Sequence, residues 1–340
     1  MDKSARLGNH LVMLVPNSVN ERMCSLFDQL IDQNGVAAGH DASLRASLRA
    51  SVIEGAKILD AGVHHRGSLA GGIALARLCL ADLADVAIVP CDRATHVVSN
   101  SVFVRTDRPV EACLASQYAG WPVSTDDFFA MGSGPMRLVR GKEEMLHDLG
   151  LAETASVVVG VLEAEKLPTV SAIRSIAEQC RVAADQIRIA IAPSTSIAGT
   201  IQVVARSIET AMHKLYSLGF DVTRVVSATG NAPIAPVAKT GDTVRGIGRT
   251  NDAILYGGEV TLWVDCDDEA VEAIAEKVPS PSSADHGRPF AAIFEGYDFD
   301  FYKVDPLLFS PALVTFSNLR TGRTWTSGKI ETDILRKSFL

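Results

Sequence analysis

Gln202, Arg206, Glu209 and His213 recur at helical spacing in the segment "IQVVARSIETAMHKLYSLGFD", residues 201 to 221. Arg206 and Glu209, at i and i+3, lie side by side on one flank of such a helix. In a cleft, a glutamate so placed can accept a proton from water while the arginine holds the carboxylate or polarises a reacting group. In solvent, the same pair is a surface ion pair worth about 0.2–0.5 kcal/mol. Spacing alone favours the solvated pair. Ala205, Ile208, Ala211, Met212 and Leu215 form an apolar face beside this row, so the helix packs on a core under either reading.

Other segments offer weaker chemistry. "MGSGPMR" (131–137) and "TGNAPIAP" (229–236) bring backbone amides near a ligand or are plain strand-ending turns. Neither fits GxGxxG or GxxxxGK[ST], which disfavours nucleotide binding. "GIGRTNDAILYGG" (246–258) sets Arg249, Thr250, Asn251 and Asp252 in a row directly before a strand. That is the pattern of a ligand-facing loop or of an Asx-type turn satisfied by its own hydrogen bonds. The histidines at 10, 40, 64, 65, 96, 147, 213 and 286 form no HxxxH or HExxH pattern, so no metal site is expected. No G-x-S-x-G elbow is present for a serine nucleophile.

The elements that must position these groups alternate between helix and strand. "VNERMCSLFDQLIDQ", "SLRASLRASVIEGAKILDAG" and "KLPTVSAIRSIAEQC" have helical period, the last with Pro168 and Thr169 at its start. "DVAIVP", "VVSNSVFVRT", "ASVVVGVL" and "QIRIAIAP" have the β-branched composition of buried strands. The last third is richer in strand patterns: "AILYGGEVTLWVDC", "FDFYKVD" and "ALVTFSNLRTG". The expectation is an α/β (α+β) fold of two lobes with a pocket between them. The division expected is 1–148 for an N-terminal lobe and 149–340 for a C-terminal lobe carrying the Arg206/Glu209 helix, with discontinuous lobes left open.

A faint internal echo bears on the relation of the lobes. Arg108-Pro-Val-Glu111 followed by Tyr118 answers Arg206-Ser-Ile-Glu209 followed by Tyr216 at an offset of 98. "AMGSGP" at 130 answers "ATGNAP" at 228 at the same offset. An internal duplication and a chance likeness of two helices both account for it. Pro109 belongs in the first turn of its helix, leaving Arg108 at the start. Arg206 is expected inside a helix beginning as early as Ser196 or Gly199. The second copy is therefore the better candidate for chemistry.

Bulk properties narrow the classes. The chain has 340 residues, 47% hydrophobic and 21% charged, which suits two lobes with sizeable cores. A net charge of −8 argues against nucleic acid or an anionic membrane as the main partner and suits a cationic or neutral ligand. Six scattered cysteines with no CxxC pair read as reduced thiols. The apolar run before Pro16 is too short for a signal segment, and Arg77, Asp82 and Asp85 interrupt the most apolar stretch. A cytoplasmic protein is expected.

Taken together, several segments resemble methenyltetrahydromethanopterin cyclohydrolase: "SVNERM", "SQYAGWPV", "GSGPMR", "APSTSIAGTIQVVARSIETAMHKLYSLGFD", "APIAPVA", "GRTNDAILYGG" and "DFYKVDPLLFSPA". The likeness runs from about residue 8 to about 330. It implies reversible addition of water to the bridging carbon of cationic 5,10-methenyltetrahydromethanopterin, giving the 5-formyl compound, in the one-carbon metabolism of methanogens and methylotrophic bacteria. The hydrolase of this resemblance needs no metal or prosthetic group, because the amidinium-like carbon is already electrophilic. It further implies that Glu209 is the general base, that Arg206 orients it and keeps it ionised, and that the assembly is a homotrimer. Substrate contacts are expected at Ser133, Gly134, Ser196, Gly230, Asn231, Arg249, Asn251 and Asp252. His286 stands where this family leads one to expect Tyr, and "APSTS" varies the usual order of Thr and Ser. Two rival readings are a non-catalytic pterin-carrier-binding protein and a cyclohydrolase acting on a folate.

Overall fold

The computed structural model describes residues 18–35, 48–300 and 303–340. Its strands, in chain order, are β1 (Arg49–Ile53), β2 (Ala56–Asp60), β3 (Asp85–Pro90), β4 (Asn100–Thr106), β5 (Trp121–Thr125) and β6 (Phe128–Ser133). They continue with β7 (Val158–Glu163), β8 (Ile187–Ala192), β9 (Val225–Pro233), β10 (Glu259–Val264), β11 (Leu313–Asn318) and β12 (Thr324–Gly328). The longer helices are α1 (Val19–Gly35), α2 (Leu69–Cys79), α3 (Val170–Cys180), α4 (Ile197–Val204), α5 (Ser207–Ser217), α6 (Thr243–Leu255), α7 (Phe290–Gly296) and α8 (Thr332–Phe339). A π-helix spans Val110–Gln117.

Two mixed six-stranded sheets organise the chain as an α/β fold of two lobes. The first runs β1-β2-β8-β7-β6-β5, and the second β12-β11-β10-β9-β4-β3. Strands β2, β8 and β7 are parallel neighbours. Burial on both faces explains their nearly unbroken apolar sequences. Leu59, Val159, Val161 and Ala190 pack with α1 and α2 on one face. Ile58, Val158, Leu162 and Ile189 pack with α3 on the other. The second sheet buries one face only: Val260, Leu262, Val264, Val314 and Phe316 point into the largest core, while Thr261, Trp263 and Thr315 between them are half-exposed.

Each sheet takes strands from both sides of residue 148, so the two sheets do not follow the expected division at 148/149. β3 and β4 join the C-terminal strands, and β7 and β8 join the N-terminal ones. The echo at offset 98 does not repeat element for element either. Residues 100–106 form strand β4, whereas 198–204 lie in helix α4.

Three local readings differ from the sequence expectation. The helical pattern at 43–62 lies outside the described residues up to 47; beyond them it folds as the β1–β2 hairpin, turning at Glu54 and Gly55 with φ of 52° and 89°. The expected strand at 299–305 includes residues 301 and 302, which lie outside the described set, and 303–305 are not strand. The tetrad 249–252 lies inside α6 rather than in a loop. The helix is N-capped by Asp242, whose side chain accepts from the Arg245 amide.

Candidate active site

The Arg206/Glu209 segment grows out of the carboxyl end of β8. Ser196 caps α4: its hydroxyl accepts from the Gly199 amide at 3.0 Å and donates to the Pro193 carbonyl at 2.8 Å. Gly199 presses against the strand end, where an added Cβ would lie 1.9 Å from the Pro193 oxygen. Helix α4 stops at Val204, and α5 starts at Ser207. Arg206 is thus at a junction (φ −91°, ψ 9°) rather than in mid-helix, and Glu209 falls in the first turn of α5. The positive end of the α5 dipole favours a carboxylate there.

The predicted apolar face is fully buried: Ala205, Ile208, Ala211, Met212 and Leu215 are all at 0% exposure. The flank row is also buried rather than solvated, with Arg206 at 8% and Glu209 at 5%. Arg206 is held on several sides. Its Nη2 donates to Ser133 Oγ at 3.0 Å and Gln202 Oε1 at 3.1 Å, with Cys79 Sγ at 3.7 Å. Its Nη1 donates to the Gln117 carbonyl and lies 3.9 Å from Glu209 Oε2. At 3.9 Å the Arg206–Glu209 contact is one of charge, not a hydrogen bond.

Burial pushes the Glu209 carboxyl up to about 7, with Arg206 and then Arg137 pulling the other way. Arg206 favours the ionised form, the direction expected of it, but desolvation outweighs the guanidinium. A carboxyl poised near neutrality can take a proton and return it. By contrast, Arg108 and Glu111 form an ordinary 3.1 Å ion pair, each about one-third exposed.

The π-helix supplies the opposite wall. Gln117 Nε2 donates to the Ala205 carbonyl at 3.0 Å, so Gln117 and the Ala205–Arg206 turn bind one another reciprocally. Arg137, fully buried, donates to the carbonyls of Leu114, Ala115 and Ser116 and pairs with Glu143. These bonds satisfy carbonyls that a π-turn leaves open. Ser116 Oγ, Gln117 Oε1, Ser207 Oγ and Asn231 Oδ1 are buried without a hydrogen-bond partner among the described residues. Such groups are costly unless water or a ligand meets them.

The remaining expected contacts divide sharply. Ser133 ends β6 and holds Arg206, and Gly134 turns the chain with φ +90° while its amide donates to the Ser116 carbonyl at 2.8 Å. Gly230 and Asn231 lie within β9, not in a turn. Glycine is needed at 230 because a Cβ would sit 2.4 Å from Ser207 Oγ, where α5 begins. Arg249 instead ties the C-terminus down, donating to the carbonyls of Ser338, Phe339 and Pro236. Asn251 bonds the Ile247 carbonyl in its own helix, and Asp252 accepts from the Phe290 amide at 2.7 Å. Gln202 remains in the row as a holder of Arg206. His213 does not: its ring stacks on Tyr118 at 4.4 Å, and burial lowers its pKa to about 4. His286 packs against Tyr256, ring centres 5.0 Å apart.

One group was missed. Glu163 ends β7, in register with Met131 of β6 and Ala192 of β8. Burial raises its pKa, opposed by the charge of Arg206. Its only sequence signal is a lone acid closing an apolar strand, at the carboxyl edge where open α/β sheets bind ligands. It lines a cavity of about 610 Å³ together with Phe128, Met131, Ser194, Thr243 and Ile247. Thr243 and Ile247 belong to α6, whose later residues Ala253, Ile254 and Leu255 pack in the core of the second sheet. The cavity therefore lies between the two lobes.

Residues 18–339 match the family model described as "Cyclohydrolase (MCH)". The chain is 59% identical over 290 residues to a protein of Rhodopirellula baltica named methenyltetrahydromethanopterin cyclohydrolase, covering 84% of this chain and 87% of that one. Identity to the protein of the same name from Methanococcoides burtonii is 40% over 324 residues, covering 95% and 98%. For the one from Xanthobacter autotrophicus it is 43% over 296 residues, covering 86% and 87%.

Proposed function

The chain belongs to the methenyltetrahydromethanopterin cyclohydrolase family, and from that premise we propose that it interconverts 5,10-methenyltetrahydromethanopterin and the 5-formyl compound by adding and removing water. The observation that carries the reading is the buried Arg206/Glu209 pair, with its carboxyl raised to about 7.

Glu209 takes a proton from water as the oxygen bonds to the bridging carbon, which discharges the amidinium cation. The same proton then goes to the departing ring nitrogen as the carbon–nitrogen bond breaks, and the hydroxyl proton is released to solvent. One water is consumed, and the cation becomes a neutral formyl amide plus a proton. Arg206 is fixed by Ser133, Gln202 and the Gln117 carbonyl, so it holds water and carboxylate in one place without reorganising. The electrophile is already in the substrate, so this chemistry calls on no metal or prosthetic group.

We further assign a homotrimer, from the family resemblance, and a cytoplasmic setting, from the six unpaired cysteines; no helix among the described residues is long and apolar enough to cross a membrane. The reading is tested by adding the purified protein to methenyltetrahydromethanopterin. Its absorbance falls, while methenyltetrahydrofolate reacts slowly or not at all. No loss with either compound removes the enzyme reading and leaves a carrier-binding protein.

A further inference from the structure

We infer that Gln202 and Ser133 are positioning residues for this reaction: they hold the Arg206 guanidinium back from a direct hydrogen bond with Glu209 and leave the Glu209 carboxylate free for the attacking water. This rests on the cyclohydrolase reading and deepens it.

The donors of Arg206 can be followed atom by atom. Nη2 carries two hydrogens, and they go to Ser133 Oγ at 3.0 Å and Gln202 Oε1 at 3.1 Å. Nη1 also carries two, and one goes to the Gln117 carbonyl. The other is left over, yet Glu209 Oε2 stands 3.9 Å from that nitrogen, beyond hydrogen-bond reach. The two holders are almost fully buried and anchored in turn. Ser133 donates to the Val161 carbonyl at 3.3 Å, and Gln202 Oε1 lies 3.8 Å from Cys79 Sγ of α2.

The echo of this pattern shows what the spacing does without holders. Arg108 and Glu111 have the same i, i+3 separation, and Arg108 Nη2 closes on Glu111 Oε1 at 3.1 Å. Among the described residues that guanidinium makes no other hydrogen bond. Burial strengthens the attraction between opposite charges, so the Arg206/Glu209 pair has more reason to close, and it stays open. The restraint lies in the acceptors that have already taken the guanidinium.

A carboxylate that accepts from a guanidinium is a weaker base than one that only feels its charge. Held open, Glu209 keeps its lone pairs for water. The other groups around it supply no substitute for this restraint. Arg137, from the helix Met136–Arg140, pulls in the same direction as Arg206. Cys113 of the π-helix and Cys79 of α2 are thiols whose own pKa burial raises. Of the strands packed on α5, β9 carries no titratable side chain, and Glu259 of β10 alternates with core-facing Val260 and so lies on the outer face. Arg224, in the turn after α5, is paired with Asp221.

The test is the pH profile of kcat/KM on methenyltetrahydromethanopterin for Gln202→Leu, which removes the acceptor. The buried donor left unpaired is costly, and the guanidinium closes on Glu209. The midpoint then moves down from about 7 by about one to two units, and the plateau falls about three- to tenfold with the weaker base. A merely structural role lowers turnover with the midpoint in place. That result overturns the assignment, as does an upward move or a profile equal to wild type. Because Gln202 acts through Arg206, the substitution must add no shift in an Arg206→Gln background; a further shift there overturns it as well. Should Gln202→Leu fail to fold, Ser133→Ala removes the other acceptor of Nη2 and is read by the same criteria. Wild-type protein with no turnover refutes the cyclohydrolase reading and this inference together; active wild type with an unmoved midpoint in the variants refutes this inference alone.

Discussion

The role proposed for Glu209 costs stability. Its carboxyl titrates near 7 in the fold and near 4.3 in an unfolded chain. A raised carboxyl contributes its full stability below the unfolded value and loses it as pH rises through the folded one. The penalty is therefore complete above about pH 7 and amounts to roughly 4 kcal/mol. Glu209→Gln is expected to be more resistant to urea than wild type at pH 8 and no more resistant at pH 4. Equal resistance at both values would show that the carboxyl is not held ionised against its burial. Arg206 opposes that burial, so Arg206→Gln must move the apparent pKa in the kcat/KM profile upward from about 7, besides slowing turnover. A downward move would reverse the assigned relation. The sequence revealed the pair but not its depth: a stripe of Gln, Arg, Glu and His reads as solvated because such residues usually are.

At the level of elements, the site depends on how α4 and α5 meet the sheets. Gly199→Ala brings a methyl carbon against the Pro193 carbonyl, an overlap of backbone that no side chain can relieve. We expect it to lower the free energy of unfolding by about 1–3 kcal/mol and to reduce turnover with it, since Arg206 follows at the end of the same helix. A denaturation midpoint equal to wild type would contradict the close packing of α4 on the strand end. Strands β7 and β8 were legible because buried parallel strands carry unbroken β-branched runs; β3 was recognised as a strand, but it is a half-exposed edge strand and not the buried one expected. The 49–60 hairpin was not legible, since Leu48, Val52, Ala56 and Leu59 fall at helical spacing across its turn. β9 was misread at Gly230 because glycine marks turns more often than close approach to a helix. The α4–α5 break at 205–206 left no mark, as Ala-Arg is good helix sequence.

Across the whole molecule, the fold class was visible in the alternation of patterns, but the division of the sheets was not. Sheet membership is set by which strands find one another across the chain, and β3, β4, β7 and β8 exchange lobes with no break in composition at their ends. The pocket between lobes follows from that exchange, because β6, β7 and β8 end beside α6. The assembly is expected to have a light-scattering mass near three times that of the single chain; a mass of one chain would remove the trimer. All these scales meet in one claim, that Glu209 moves the proton of the attacking water. The direct measurement is the pH profile of kcat/KM on methenyltetrahydromethanopterin for wild type and Glu209→Gln. Wild type is predicted to rise with pH to a plateau with a midpoint near 7, and Glu209→Gln to lie about 10²–10⁴-fold lower without that rise. A Glu209→Gln profile of wild-type height with the same midpoint would contradict it.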